Sequence, residues 1–278
     1  MALETISSAD FDRFRRLLYE HSGIHLADNK QPLLIGRLGR RLRELGLDSY
    51  ADYYQRVTQP GCEVERQRMI DLLTTNETHF FREPQHFVYL REHILPRHPA
   101  GTPFRAWSAA SSTGEEAYTL AIELAEAFGE APWEIIGTDI SHRVVEQARL
   151  GIYPIERAKE IPIPLLKKYC LRGVRSQDGA MRVMSSLTRR AHFLPANLLA
   201  PLPDIGRFDV IFLRNVMIYF DPETKRKVIN NLLPYLKTDG HLLIGHSETL
   251  NGITSDVVAV RPTIYRRATQ SLAQAPQK

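Results

Sequence analysis

The stretch from Phe104 to Phe128 (F-R-A-W-S-A-A-S-S-T-G-E-E-A-Y-T-L-A-I-E-L-A-E-A-F) constrains the fold more than any other part of the chain. An apolar strand ending at Ser108 is followed by a loop of small residues, Ala109 to Gly114, and then by a helical pattern. Small residues let the backbone approach a ligand closely at a helix N-terminus. The G-x-G-x-x-G spacing that cradles a pyrophosphate is absent. A second strand, Trp133 to Thr138, ends at Asp139, where doubly wound domains put an acid on ribose hydroxyls. The combination points to an adenosine cofactor without a diphosphate, and S-adenosylmethionine fits.

The rest of the chain divides around this unit. Residues 10–73 read as helices, with Leu34, Leu38, Leu42 and Leu45 at helical spacing and Gly23, Gly46 and Pro60-Gly61 as punctuation. This predicts an all-helical N-terminal domain over residues 1–73 and a polar connector over 74–85. Residues 86–267 then form an α/β domain. Its expected strands are 104–108, 134–138, 208–213 and 241–245, with a closing hairpin at 257–266 around Pro262. Its expected helices are 115–128, 142–150 and 222–236, the last N-capped by Asp221. Regularity fails between Gly151 and Leu194. There a hairpin signal at Asp178-Gly179 predicts a small β insertion at about 169–186. The Ala, Gln and Ser tail, 268–278, is expected to be disordered. The fold class is α/β, a Rossmann-like methyltransferase domain with a β insertion behind an all-α domain.

Charge and cysteine usage narrow the function classes. A formal net charge of +4 over 278 residues is mild for a nucleic-acid binder. It is locally concentrated, since Lys30, Arg37, Arg40, Arg41 and Arg43 occur with no intervening acid. No apolar run approaches the roughly 20 residues that span a bilayer, and the first ten residues lack signal-peptide features, so a cytoplasmic protein without membrane insertion is expected. Cys62 and Cys170 form no C-x-x-C and the histidines show no ligand spacing. Reduced cysteines and no metal are expected.

Several strings, in this order, resemble the chemotaxis receptor methyltransferases, the CheR family: T-T-N-E-T-H-F-F-R-E (74–83), W-S-A-A-S-S-T-G-E-E-A-Y (107–118), T-D-I (138–140), N-L-L (197–199), R-N-V-M-I-Y-F (214–220) and G-H-S-E (245–248). The resemblance runs from about Phe11 to Arg266, with Ala117 a local departure where some relatives carry proline. It implies methyl transfer from S-adenosylmethionine to glutamate carboxylates on the cytoplasmic domain of chemoreceptors, leaving S-adenosylhomocysteine. It also implies a cofactor site built from Asn76, Thr78, Arg82, Glu116, Asp139, Asn197, Leu198, Asn215 and Val216. Some family members bind a receptor C-terminal peptide at the β insertion.

Each of these residues has a plainer reading. Thr113-x-x-Glu116 has the form of a capping box, Asp139 suits a helix cap, and Asn215 ends a strand where turn formers are common. Arg82 is expected to orient an anionic acceptor, since a guanidinium holds carboxylates bidentately, and Tyr219 to bring a phenol near it. Arg37, Arg40, Arg41 and Arg43 are either a solvated face or a docking surface for acidic receptor helices. Two alternatives stay open. One is a nucleic-acid amino-methyltransferase with Asn215-Val216-Met217-Ile218-Tyr219 in place of N-P-P-Y. The other is a non-catalytic S-adenosylmethionine-binding regulator. The chain is expected to be a monomer.

Overall fold

The computed structural model describes residues 5–268, so the expected disordered tail lies, apart from Ala268, outside the described residues. Four helices open the chain: α1 (Ser8–Ser22), α2 (Gln31–Glu44), α3 (Tyr50–Thr58) and α4 (Glu63–Leu73). Ser7 and Ser49 cap α1 and α3 by accepting the backbone N–H groups of Asp10 and Asp52. Leu34, Leu38 and Leu42 of α2 are fully buried against Phe14, Leu18, Tyr53 and Met69. Each such burial is worth about 1.5–3 kcal/mol. The connector after α4 holds Phe80 against Tyr153 at 5.2 Å between rings, which fixes its path.

The α/β domain begins with α5 (Pro84–Tyr89) and runs β1 (Phe104–Ala109), α6 (Glu115–Phe128), β2 (Trp133–Asp139), α7 (His142–Leu150). The insertion follows: β3 (Ile152–Pro154), α8 (Ile163–Tyr169), β4 (Cys170–Arg172), β5 (Ala180–Val183) and α9 (Ser185–Thr188). The chain then makes β6 (Ala191–Pro195), β7 (Phe208–Leu213), α10 (Pro222–Leu232), β8 (Leu236–Ile244), β9 (Val257–Arg261) and β10 (Ile264–Arg267). The seven-stranded sheet has the order β6-β2-β1-β7-β8-β10-β9. Strands β6 to β8 are parallel, and β10 is antiparallel to both of its neighbours. The expected fold class and closing hairpin are therefore present.

The expected insertion hairpin forms between β4 and β5, and β3 adds a third strand on the other side of β5. Strand β6 has no counterpart in the sequence reading, because Ala191–Pro195 is short and bounded by no turn signal. Helix α10 is shorter than the expected 222–236. Its last turn, Leu233–Tyr235, tightens to a 3-10 turn at Pro234, and the chain enters β8 at Leu236, five residues before the expected His241. Successive strands run outward in opposite directions from the β1/β7 boundary, which is the topological switch point where such sheets bind ligands.

Candidate active site

A cavity of about 520 Å³ opens at that switch point. Its walls are the chain segments leaving β1, β2, β6 and β7, and its remaining side is the helical domain with the connector. It gathers every residue expected at the cofactor site, together with Tyr219 and Arg37; Arg40, Arg41 and Arg43 lie elsewhere.

The loop after β1 turns sharply. Ala110 and Ser112 take positive φ angles of 136° and 49°, a conformation costing of order 1–3 kcal/mol each for residues with a side chain. The surroundings hold it there: Ser112 donates its N–H to Asp139 Oδ2 at 2.9 Å and its hydroxyl to the Asn76 carbonyl at 3.0 Å. Gly114 caps α6 with φ 95°, and a Cβ there would lie 2.9 Å from the Ala148 Cβ.

This cap shifts the helix start and overturns the capping-box reading of Thr113 and Glu116. Thr113 donates instead to Glu115 Oε2 at 2.6 Å. Glu116 accepts the Ser108 hydroxyl at 2.6 Å and Arg214 Nε at 2.6 Å, so its carboxylate turns toward the cavity. Asp139 does not cap α7 either, since Ser141 is the N-cap. Its Oδ1 accepts the Ser141 N–H at 2.9 Å. Burial pushes the Asp139 carboxyl up to about 6, against the pull of these two backbone donors. Each Asp139 oxygen carries one backbone hydrogen bond, which leaves acceptor capacity at the cavity wall.

From the β6 side, Asn197 donates Nδ2 to the His21 carbonyl at 2.7 Å and accepts the Leu199 N–H, which ties the wall to α1; Leu198 lines it. From the β7 side, Asn215 sits at φ 57° with Nδ2 on Glu83 Oε1 at 3.0 Å, and Val216 follows it into the wall. Tyr219 lines the cavity, and its carbonyl accepts the His25 N–H at 2.9 Å. In the connector, the Thr78 carbonyl accepts from Arg157, and Arg82 donates Nη1 to the Glu77 carbonyl at 2.7 Å.

The basic stripe is divided. Arg37 donates to the carbonyls of Leu73 and Thr74 at 2.7 and 3.0 Å, so it caps α4 and anchors the connector. Arg41 holds Glu65 through two nitrogens, at 2.9 and 2.6 Å. Arg40 and Arg43 are exposed, and among the described residues Arg40 bonds only to Glu44 of its own helix.

Two further residues have no counterpart among the expected site residues. Arg214, 6% exposed, reaches Glu116, the Arg82 carbonyl at 2.8 Å, Glu83 at 3.4 Å and His86 Nδ1 at 3.0 Å. Glu83 in turn holds Asn215. The available signal was a charged residue directly after the wholly apolar end of β7. Glu83, His86 and His246 approach one another closely enough for a metal ion, but the Arg214 guanidinium already supplies positive charge there and donates to His86. Burial first, and then Arg214, lower the His86 imidazole to about 4, consistent with a neutral ring accepting that bond.

Two buried carboxylates, Glu116 on the first turn of α6 and Asp139 at the end of β2, thus line one cavity, an acceptor set suited to the ammonium and ribose hydroxyls of S-adenosylmethionine. Comparison with known proteins agrees with the chemistry. Residues 76–265 match the model of the CheR methyltransferase SAM-binding domain, and residues 9–74 match the CheR methyltransferase all-alpha domain. The chain is 42% identical to a chemotaxis protein methyltransferase of Salmonella typhimurium, covering 94% of this chain and 90% of that one. It is 41% identical to one from Escherichia coli, over 94% and 91%, and 41% identical to chemotaxis protein methyltransferase 2 of Pseudomonas aeruginosa, over 93% of both. S-adenosylmethionine is accordingly the cofactor. With both its domains matched in this way, the chain belongs to the CheR methyltransferase family.

Proposed function

We propose that the protein transfers a methyl group from S-adenosylmethionine to glutamate side-chain carboxylates of membrane-bound chemoreceptors, forming glutamate methyl esters. The observation that carries this reading is that Glu116, Asp139, Arg82 and Tyr219 line one cavity at the β1/β7 switch point. The chemotaxis role of its relatives supports it.

The cofactor supplies an electrophilic methyl carbon on a sulfonium. A glutamate acceptor is already ionised near neutral pH, so no general base is required. Glu116 holds the cofactor's ammonium and Asp139 its ribose hydroxyls, while Asn76, Thr78, Asn197, Leu198, Asn215 and Val216 enclose the remainder. Arg82 orients the acceptor carboxylate, and Tyr219 lines its approach. Holding the acceptor too firmly would stabilise the ground state and slow transfer. Rate therefore comes from alignment and exclusion of water in the closed cavity.

Arg40 and Arg43, with the outer edge of α2, steer acidic receptor helices, and Arg37 carries the same face into the cavity. The edge strand β4, with Leu171 exposed, offers a place for a receptor C-terminal peptide to add as a strand. The protein works from the cytoplasm, at receptor arrays, as a monomer. Among the described residues no helix is long and apolar enough to cross a membrane.

The test is incubation with methyl-labelled S-adenosylmethionine and either receptor-containing membranes or nucleic acid. Label on receptor that mild base releases supports carboxyl esters; base-stable label on nucleic acid overturns the proposal.

A further inference from the structure

We propose that Glu248 is a positioning residue for methyl transfer, its buried carboxylate clamping the loop after β7 so that Asn215 and Tyr219 face the cavity. The inference rests on the reading of the cavity as a methyl-transfer site.

Glu248 follows β8, is 9% exposed and does not line the cavity. Its Oε2 accepts the Gly245 N–H at 2.6 Å and the Asn215 N–H at 3.0 Å, and its Oε1 accepts the Ile218 N–H at 3.2 Å. One carboxylate therefore gathers donors from both ends of the first turn after β7 and ties them to the neighbouring strand. The arrangement needs two acceptor oxygens, because three donors converge from two directions; an amide offers only one. Charge-assisted bonds of this kind offset the cost of burying the anion.

The clamp also accounts for the glycine three residues earlier. A Cβ on Gly245 would lie 2.9 Å from Glu248 Oε2 and 2.6 Å from Asn215 Nδ2, so a side chain there would force the clamp apart. Asn215 is held at φ 57° by this bond and by Glu83. Glu116 on α6, Asp139 at the end of β2 and Asn197 after β6 take their hydrogen bonds from other partners. Loss of Glu248 should therefore cost turnover, through Tyr219, more than cofactor binding, in which Asn215 and Val216 share the task with Glu116 and Asp139.

The test compares Glu248→Ala, Glu248→Gln and a control, Ser247→Ala, whose side chain is exposed. Three quantities are read: kcat on receptor membranes, S-adenosylmethionine Kd by calorimetry, and hydrogen exchange at the Asn215 and Ile218 amides. A loop displaced by about an ångström costs on the order of 10²-fold in rate, so Glu248→Ala is expected to lose about that in kcat while Kd, through Asn215 and Val216, rises by less than about tenfold. Exchange at both amides accelerates, Glu248→Gln recovers part of the rate through its one remaining acceptor, and Ser247→Ala behaves as wild type. Wild-type kcat in Glu248→Ala, or parallel loss of kcat and affinity in step with a lowered Tm, overturns the proposal. Should Glu248→Ala fail to fold, Glu248→Gln must show the same split in weaker form. Unchanged amide protection overturns the clamp whatever the acceptor is, whereas absence of transfer by the wild type overturns the receptor reading alone.

Discussion

Arg214 donates Nε to Glu116 Oε2 at 2.6 Å with both side chains buried, which joins the strand end of β7 to the first turn of α6 across the switch point. The guanidinium also lies over the rings of Phe87 and Phe212, at 5.4 and 5.3 Å from their centroids. A buried charge whose partner is removed is uncompensated, so Arg214→Met is expected to destabilise the protein by about 3–5 kcal/mol. The double variant Arg214→Met/Glu116→Gln should recover part of that loss but not cofactor binding. Urea melts of the four proteins, with calorimetry of S-adenosylmethionine, check both halves; additive destabilisation would contradict the coupling.

Asp139 gives the site a pH dependence. In the proposed site, ribose hydroxyls would donate to its ionised form, and burial holds its carboxyl at about 6 in the free protein. Affinity for S-adenosylmethionine should therefore fall as pH drops through about 6, approaching tenfold per pH unit. The ligand-free protein behaves oppositely. Its folded-state value lies above the ordinary 3.8, so the Asp139 contribution to stability is lost as pH rises from 3.8 to about 6. Calorimetry between pH 5 and 8 should show the first trend in the wild type and weak, flat binding in Asp139→Asn.

The arginines of α2 should separate by phenotype. Arg37 anchors the connector that carries Asn76, Thr78 and Arg82. Arg37→Ala is therefore expected to weaken S-adenosylmethionine binding at any ionic strength. Arg40→Ala and Arg43→Ala should leave that Kd unchanged and lower kcat/KM on receptors, with the deficit shrinking as salt screens the exposed charge. Equal cofactor affinity in all three variants would contradict the division.

Gly23 marks the seam between the domains. It adopts φ 70°, and a Cβ would lie 2.4 Å from Leu199 Cδ1 and 2.7 Å from Thr224 Cγ2. Gly23→Val is expected to cost at least about 1–3 kcal/mol from the backbone alone and, by prying α1 from the wall that holds Asn197, to raise the Kd for S-adenosylmethionine. Thermal melts and calorimetry on the variant measure the two effects.

The β1-loop-α6 unit, the acid at the end of β2 and the closing hairpin were legible because each is a local pattern: small residues at a strand end, an acid at the next strand end, apolar runs broken by Pro262. Strand β6 was not, since Ala191–Pro195 alternates weakly and depends on β2 for its identity as a strand. The capping box failed because Gly114 can take the left-handed cap and displaced Thr113 from that role. The polar scaffold behind the cavity was also out of reach. Glu83 in the connector and Arg214 after β7 are 131 residues apart, and no local spacing announces their contact.

The most direct measurement is a structure of the protein with S-adenosylhomocysteine bound. The account predicts ribose hydroxyls on Asp139, the amino group on Glu116, and the sulfur turned toward Arg82 and Tyr219. A ligand held elsewhere, or one whose ribose and amino group contact neither carboxylate, would contradict it.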